Sequence, residues 1–196
     1  SSAKAERKMK SYLLLSFYAG FVVVRAFTTH GWKIEDHYWR DYTGQTPSDA
    51  LEAGTDKHGL PIFIGQAFIK DIGLLPVTIY SQASTVEATA WDKVFSLDKN
   101  VKILCSQNPG EYRWVPTKIE NMHLLTHCSL VPGGTETETT LYIGRVIHDM
   151  ELAIGKVYPN FSQYKGLGLP HNGKQATYYS FEVFAHNCTV NKNNCV

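Results

Sequence analysis

Charge is scarce in this chain. Asp, Glu, Lys and Arg make up 19% of its 196 residues, against about one quarter in ordinary soluble domains, and so low a share argues against a disordered, self-solvating chain. A basic excess is missing too. The formal net charge is +1, but residues 1–26 hold Lys4, Arg7, Lys8, Lys10 and Arg25 against Glu6 alone, and the rest holds 14 basic against 17 acidic side chains. No basic stripe remains to neutralise phosphates, so nucleic acid is not an expected partner. There is no phosphate-binding glycine loop, no dinucleotide fingerprint and no Gly-x-Ser-x-Gly elbow. No nucleophile with a matching base emerges, and the chain is not expected to be an enzyme. After residue 27 no window sustains apolar spacing at 3.6 over three turns, which excludes a helical bundle.

Cysteine is sparse as well. Cys105, Cys128, Cys188 and Cys195 show none of the paired short spacings of a zinc site. Four cysteines allow three pairings, among which sequence does not choose. The preferred one joins Cys188 to Cys195 across the tail and Cys105 to Cys128 across the middle of the chain. Of eight histidines only His123 and His127 sit four apart. Leu124 stands where a helical metal pair of the His-Glu-x-x-His type needs glutamate, so this segment reads as a connector. No metal and no cofactor are expected.

What is present begins with a targeting signal. Met9 and Lys10 precede an apolar run from Tyr12 to Val24, and Val24-Arg25-Ala26 offers small residues around a cut. That order describes a secretory signal peptide, too short for a comfortable membrane span. The mature chain is expected to start near Phe27 and to be secreted, without stable membrane insertion. Asn160-Phe161-Ser162 and Asn187-Cys188-Thr189 are then glycosylation sequons.

The chain also says nearly the same thing twice. Ile62-Phe63-Ile64-Gly65-Gln66-Ala67-Phe68 returns as Leu141-Tyr142-Ile143-Gly144-Arg145-Val146-Ile147. Ala53-Gly54-Thr55-Asp56 is matched by Pro132-Gly133-Gly134-Thr135 ahead of the second copy. Asp71-Ile72-Gly73-Leu74-Leu75-Pro76 is matched by Asp149-Met150-Glu151-Leu152-Ala153-Ile154, and Val101-Lys102-Ile103-Leu104 by Phe181-Glu182-Val183-Phe184. Trp39 with Pro47 and Trp114 with Pro116 open the copies more loosely. Blocks recurring in order mark one supersecondary unit copied and packed on itself.

Short runs rich in β-branched and aromatic residues predict strands over 62–68, 77–80, 101–104, 141–147, 157–158 and 178–184. Gly59-Leu60-Pro61, Asn108-Pro109-Gly110, Pro132-Gly133-Gly134 and His171-Asn172-Gly173-Lys174 predict turns. The expected fold is all-β: two tandem units of short antiparallel strands, packed with pseudo-two-fold symmetry, their seam sealed by Trp32, Trp39 and Trp114. The expected boundaries are 1–26 for the signal segment, 27–112 and 113–186 for the units, and 187–196 for the cysteine-containing tail.

Two polar residues stand at strand ends, where loops carry ligand contacts. Asp56 lies in a turn before the first repeated strand, and Lys156 lies in the Gly155-Lys156 return. A carboxylate, an ammonium and an aromatic face form a minimal set for sugar hydroxyls. A plainer reading makes Asp56 a turn cap and Lys156 ordinary surface.

The turn at Asp49-Ala50-Leu51-Glu52-Ala53-Gly54-Thr55-Asp56, the strand Leu141-Tyr142-Ile143-Gly144-Arg145-Val146, the Gly155-Lys156-Val157 return and the closing strand Phe181-Glu182-Val183-Phe184 together resemble the DM-nine repeat family. The resemblance spans Trp39 to Ala185. It implies a tandem-repeat invertebrate protein, and some members of the family are mannose-binding lectins of innate immunity. It implies sugar contacts from the turn aspartate, Asp56, and the return lysine, Lys156. The second-unit counterpart of Asp56 is Thr135, or Glu136 if the turn shifts by one. Thr78 stands in the first unit where Lys156 stands in the second, and Gln66 where Arg145 stands. The implied carbohydrate site is therefore composite: Asp56, Lys156, Glu136 and Arg145, at the seam between units. Expected partners are mannose-type glycans or a host or pathogen surface, and a second copy of the chain is also admitted. The alternative is a secreted salivary or venom effector that binds a host protein, its sugar site degenerate.

Overall fold

A computed structural model describes residues 36–159 and 165–188. The expected signal peptide, Trp32, Asn160 and Cys195 lie outside these residues. The described chain is β throughout, apart from two short 3-10 turns at Pro109–Glu111 and Ile119–Leu124. The strands run β1 (His37–Asp41), β2 (Glu52–Thr55), β3 (Pro61–Ile69), β4 (Gly73–Tyr80), β5 (Val86–Ala90), β6 (Lys93–Leu97) and β7 (Val101–Ser106), then β8 (Tyr112–Lys118), β9 (Ser129–Leu130), β10 (Pro132–Glu136), β11 (Thr139–His148), β12 (Glu151–Tyr158), β13 (Gly166–His171), β14 (Lys174–Tyr178) and β15 (Ser180–His186). Every pairing is antiparallel.

The pairing scheme occurs twice. β3 pairs with β2, β4 and β7, and β7 pairs with β1; β11 pairs with β10, β12 and β15, and β15 pairs with β8. Register fixes the equivalences residue by residue. Ile64 faces Thr78 as Ile143 faces Lys156. Trp39 faces Leu104 as Trp114 faces Phe184. Even the small β9 contact, Leu130 against Ala185, has its counterpart in the bridge of Ala50 to Cys105. The schemes part at the outer hairpins: β12 pairs with β13, whereas β5 and β6 form a separate two-stranded sheet.

Pro132-Gly133-Gly134 is strand, not the expected turn. The glycines there serve close approach. A Cβ on Gly134, at φ +155°, would lie 2.1 Å from the Leu74 carbonyl oxygen, and one on Gly133 would lie 2.6 Å from Pro76. β10 consequently runs between its own β11 and β4 of the other unit. The expected single strand over 178–184 is broken at Tyr179 into β14 and β15. The β5–β6 hairpin was not legible, because its two turn residues, Trp91 and Asp92, adopt positive φ without a glycine or asparagine to announce it.

Three apolar clusters fill the interior. One belongs mainly to the first unit around Leu75, Val77 and Ile103, and one to the second around Val157, Leu167 and Val183. Between them a shared core takes equivalent residues from both: Leu51 and Val131, Ile64 and Ile143, Leu104 and Phe184, with Trp39 and Trp114 packed against it. Fully burying each such side chain contributes about 1.5–3 kcal/mol, against about 1 kcal/mol for a hydrogen bond. Apolar packing therefore dominates the seam, as expected of Trp39 and Trp114.

The cysteine expectation is corrected. Cys128 is bonded to Cys188, and Cys105 is a buried free thiol on β7. Strand pairing decides this. β9 lies against β15, which brings the residue before Ser129 beside the residue after Asn187. Cys105 is locked between Tyr38 and Ala50 with its side chain in the first core, and burial pushes that thiol up to about 11. Among the described residues no helix is long and apolar enough to cross a membrane.

Candidate functional site

Register settles which acid corresponds to Asp56. Gly54 pairs with Ile62 after a bulge, and Gly134 pairs with Leu141 after the same bulge. Two residues on from each glycine stand Asp56 and Glu136, so Glu136 rather than Thr135 is the counterpart. The returns align likewise: Thr78 with Lys156 and Tyr80 with Tyr158. Each unit thus presents an acid at the end of its short strand and a hydroxyl–aromatic or amine–aromatic pair on its return strand.

In the second unit these groups close on one another. The Lys156 ammonium donates to Glu136 Oε2 at 2.5 Å, and the Tyr158 hydroxyl donates to the same oxygen. Side-chain exposure is 2% for Lys156 and 5% for Glu136. Burial pulls the Lys156 pKa down, opposed by the Glu136 carboxylate. The pair is a buried ion pair, inaccessible to a sugar hydroxyl without displacement of one partner. Lys156 is thus not ordinary surface.

In the first unit the equivalent groups stay apart. Asp56 Oδ1 accepts from the backbone N–H groups of His58 and Leu60, both at 2.8 Å. The Leu60 bond, then the His58 bond, hold its carboxyl below the usual range. Both bonds fall on one oxygen, so Oδ2 is left for other partners. The Thr78 hydroxyl accepts from Ile154 N–H at 2.8 Å and donates to the Ile154 carbonyl. The Tyr80 hydroxyl donates to Glu151 Oε1 at 2.9 Å, and burial followed by that bond raises its pKa. Glu151 Oε2 also accepts from Lys57 N–H. Asp56 and Lys156 therefore bond within their own surroundings and not to each other.

Arg145 spans the seam. Its Nε donates to Glu182 at 2.5 Å, its Nη1 donates to the Ala53 carbonyl at 2.6 Å, and its guanidinium lies 4.5 Å from the Trp114 ring centroid. Gln66, its counterpart, donates to the Gly133 carbonyl at 2.8 Å. Each therefore ties the other unit's short strand, and Gln66 does with an amide what Arg145 does with a cation.

Where Thr78 replaces a lysine, a cleft of about 260 Å³ opens between the units, lined by Thr78, Tyr80, Thr85, Glu87, His148 and Pro170 among others. Thr85 and Glu87 are exposed. Sequence reasoning named Thr78 as a substitution but missed Tyr80, Thr85, Glu87 and His148. Tyr80 could have been found by comparing the copies, because Tyr158 repeats it. Thr85, Glu87 and His148 carry no such signal. His123 and His127 join no convergent ligand group among the described residues.

The fold resembles the crystal structure of the nematode sperm cell motility protein MFP2B, with a TM-score of 0.55 and 8% identity over 79% of this chain. The match covers 47% of that protein's chain, so this chain spans about half its length. No curated protein matches the sequence. The DM9 repeat model matches residues 71–178, more than half of the chain and the stretch that carries Thr78, Glu136, Arg145 and Lys156. The chain belongs to the DM9 repeat family.

Proposed function

We propose that this protein binds carbohydrate of the mannose type, as a secreted recognition protein, and that the sugar enters the cleft between the units beside Tyr80. The observation that carries this is the contrast at one register position. Where the second unit seals a lysine against a glutamate, the first leaves a threonine and an open cleft. Tyr80 offers an aromatic edge there, while Glu87 and Thr85 offer an acceptor and a hydroxyl, the mixture that recognises a polyhydroxylated ring. The volume lies just under the about 300–1,000 Å³ of typical ligand pockets, which suits one sugar ring rather than an extended chain. Asp56 and Arg145 bond outside the cleft's lining, to His58 and Leu60 and to Ala53 and Glu182, and the Glu136–Lys156 pair stands at the position that matches Thr78. Membership of a family with mannose-binding lectins supports the ligand class, and the Cys128–Cys188 bond supports an oxidising compartment. Immune recognition is the role this reading favours, and the role is binding rather than catalysis.

Mannan pull-down and calorimetry with methyl mannoside test the reading. Wild type is expected to bind, Tyr80→Ala and Glu87→Gln to weaken binding at least tenfold, and Lys156→Arg to leave it unchanged. No retention by any glycan, or binding indifferent to Tyr80 and Glu87, would end the proposal. A second reading, an effector that binds a host protein, draws on the exposed apolar residues Trp91, Ile147 and Met150. Capture of a deglycosylated host protein, abolished by Met150→Glu and Trp91→Glu, would favour it.

A further inference from the structure

The tips of two hairpins meet beside the cleft. The β11–β12 turn carries His148 and Asp149, with Asp149 and Met150 at positive φ; the β13–β14 turn carries His171, with Asn172 and Gly173 at positive φ. β12 pairs with β13, so both tips lie at one end of the sheet. There His148 Nε2 lies 2.9 Å from His171 Nδ1, and Asp149 Oδ2 lies 3.4 Å from the first and 3.6 Å from the second. No step of the proposed sugar site uses this arrangement.

We propose that His148, Asp149 and His171 form a binding site for a late first-row divalent cation, of which zinc is the type. Geometry comes first. A tetrahedral ion with bonds of about 2.0–2.1 Å sets its ligand atoms roughly 3.3 Å apart. The three measured edges bracket that value, and a point about 2.0 Å from all three atoms exists close to their plane.

Outer partners supply an independent argument. A ligating imidazole ordinarily has its other nitrogen held by a hydrogen bond that fixes the ring. His148 Nδ1 lies 2.5 Å from the Tyr178 hydroxyl, and His171 Nε2 lies 2.9 Å from the Asn172 amide. With Nε2 on the ion, His148 Nδ1–H donates to the Tyr178 oxygen. With Nδ1 on the ion, His171 Nε2–H donates to the Asn172 oxygen once that amide is turned over. Both rings are thus oriented from behind, in the arrangement a metal site uses.

Chemistry then selects the ion. Two imidazoles and one carboxylate suit zinc, copper, nickel or cobalt, whereas calcium and magnesium require oxygen ligands. Three protein ligands leave at least one position for water or for a ligand oxygen. His148 also lines the cleft, so the ion would stand at its mouth. The site is confined to one unit. Register places Ile69 opposite Gly73 where His148 is opposite Glu151, and Ala90 opposite Lys93 where His171 is opposite Lys174. The first-unit counterparts of both histidines are therefore apolar.

The test uses tag-free full chain and zinc chloride, by calorimetry and by competition with a chromogenic chelator, with cobalt as a spectroscopic stand-in. One zinc per chain is expected, with visible cobalt bands, and calcium should not compete. His171→Gln, at a half-buried position, and Asp149→Asn, at an exposed one, should each weaken zinc at least tenfold; Tyr178→Phe should weaken it by about 10–100-fold. His123→Gln with His127→Gln should leave it unchanged. Zinc affinity in His171→Gln and Asp149→Asn equal to wild type, or absence of one-to-one binding in wild type, would overturn the proposal.

Discussion

The two return strands differ most in charge and length at one matched position, Thr78 against Lys156. In the second unit a lysine, a glutamate and a tyrosine condense into a buried knot; in the first a threonine grips the neighbouring backbone and a cleft remains. The central strand pairing is the same in both, but β12 continues into β13 whereas β5 and β6 form a sheet of their own beside the cleft. Whether a position becomes a strut or a recess therefore depends on side-chain length and charge together with the outer hairpin packed beside it. A similar contrast runs through the ties within each unit. Where the second unit is stapled by Cys128–Cys188, the first gathers Tyr38, Arg40 and Gln107 around Asp49, which draws that carboxyl's pKa down chiefly through the Tyr38 hydroxyl.

The sharpest way to break the comparison is to remove the second unit's cation. Lys156→Met leaves Glu136 a buried carboxylate without its partner, and such a loss costs about 3–5 kcal/mol. Adding Glu136→Gln, which keeps an acceptor for Tyr158, should recover most of it. Thr78→Val at the matched position strips one bond from the Ile154 N–H and should cost about 1–3 kcal/mol. Urea denaturation reads all three, and a double variant as unstable as the single would show that the knot is not an ion pair in effect.

A smaller effect is expected from the staple. Cys128–Cys188 spans 60 residues, for which restriction of the unfolded chain gives about 4 kcal/mol at most and commonly 2–4 kcal/mol. Cys128→Ser should lower the thermal midpoint accordingly, while Asp49→Ala in the first unit should lower it less. Equal losses would mean that the polar cluster and the covalent bond are interchangeable.

The smallest effect concerns Asp56. Its folded pKa is depressed, so its contribution is complete above the unfolded value of about 3.9 and is lost as pH falls through the lower folded value. Asp56→Asn keeps an acceptor for the turn but not the charge. The variant should show a flatter stability profile below pH 4 than wild type in urea midpoints measured between pH 2 and 6. Parallel profiles would remove Asp56 from the acid response.

Much of this architecture was legible. The repeated block around Gly65 and Gly144 falls on the central strands β3 and β11, and the strand periodicity gave an all-β class. Asp56 as a turn cap was also within reach of sequence, since a capping carboxylate bonds to backbone only two to four residues away. Glu136 was offered as an alternative to Thr135, because the offset slips where the turn after β2 is one residue longer than the turn after β10: Thr55 pairs with Pro61, Thr135 with Thr140. Arg145 was named for a sugar, yet its donors go to Ala53 and Glu182, contacts 92 and 37 residues away in sequence. The disulfide failed for a similar reason. Sequence proximity favoured Cys188 with Cys195, whereas strand pairing carried Cys128 to Cys188.

The sequence by itself determined the strand pattern, the doubled unit and the local caps, because these depend on residues near one another or on side-chain alternation. Tertiary structure decided what each copied residue does. Glu136 meets Lys156, Arg145 reaches Ala53, and His148 meets His171 only after separate hairpins are laid edge to edge. The physical reason is that ion pairs, ligand geometry and clefts depend on distances of a few ångströms between residues far apart in the chain, and only strand register sets those distances.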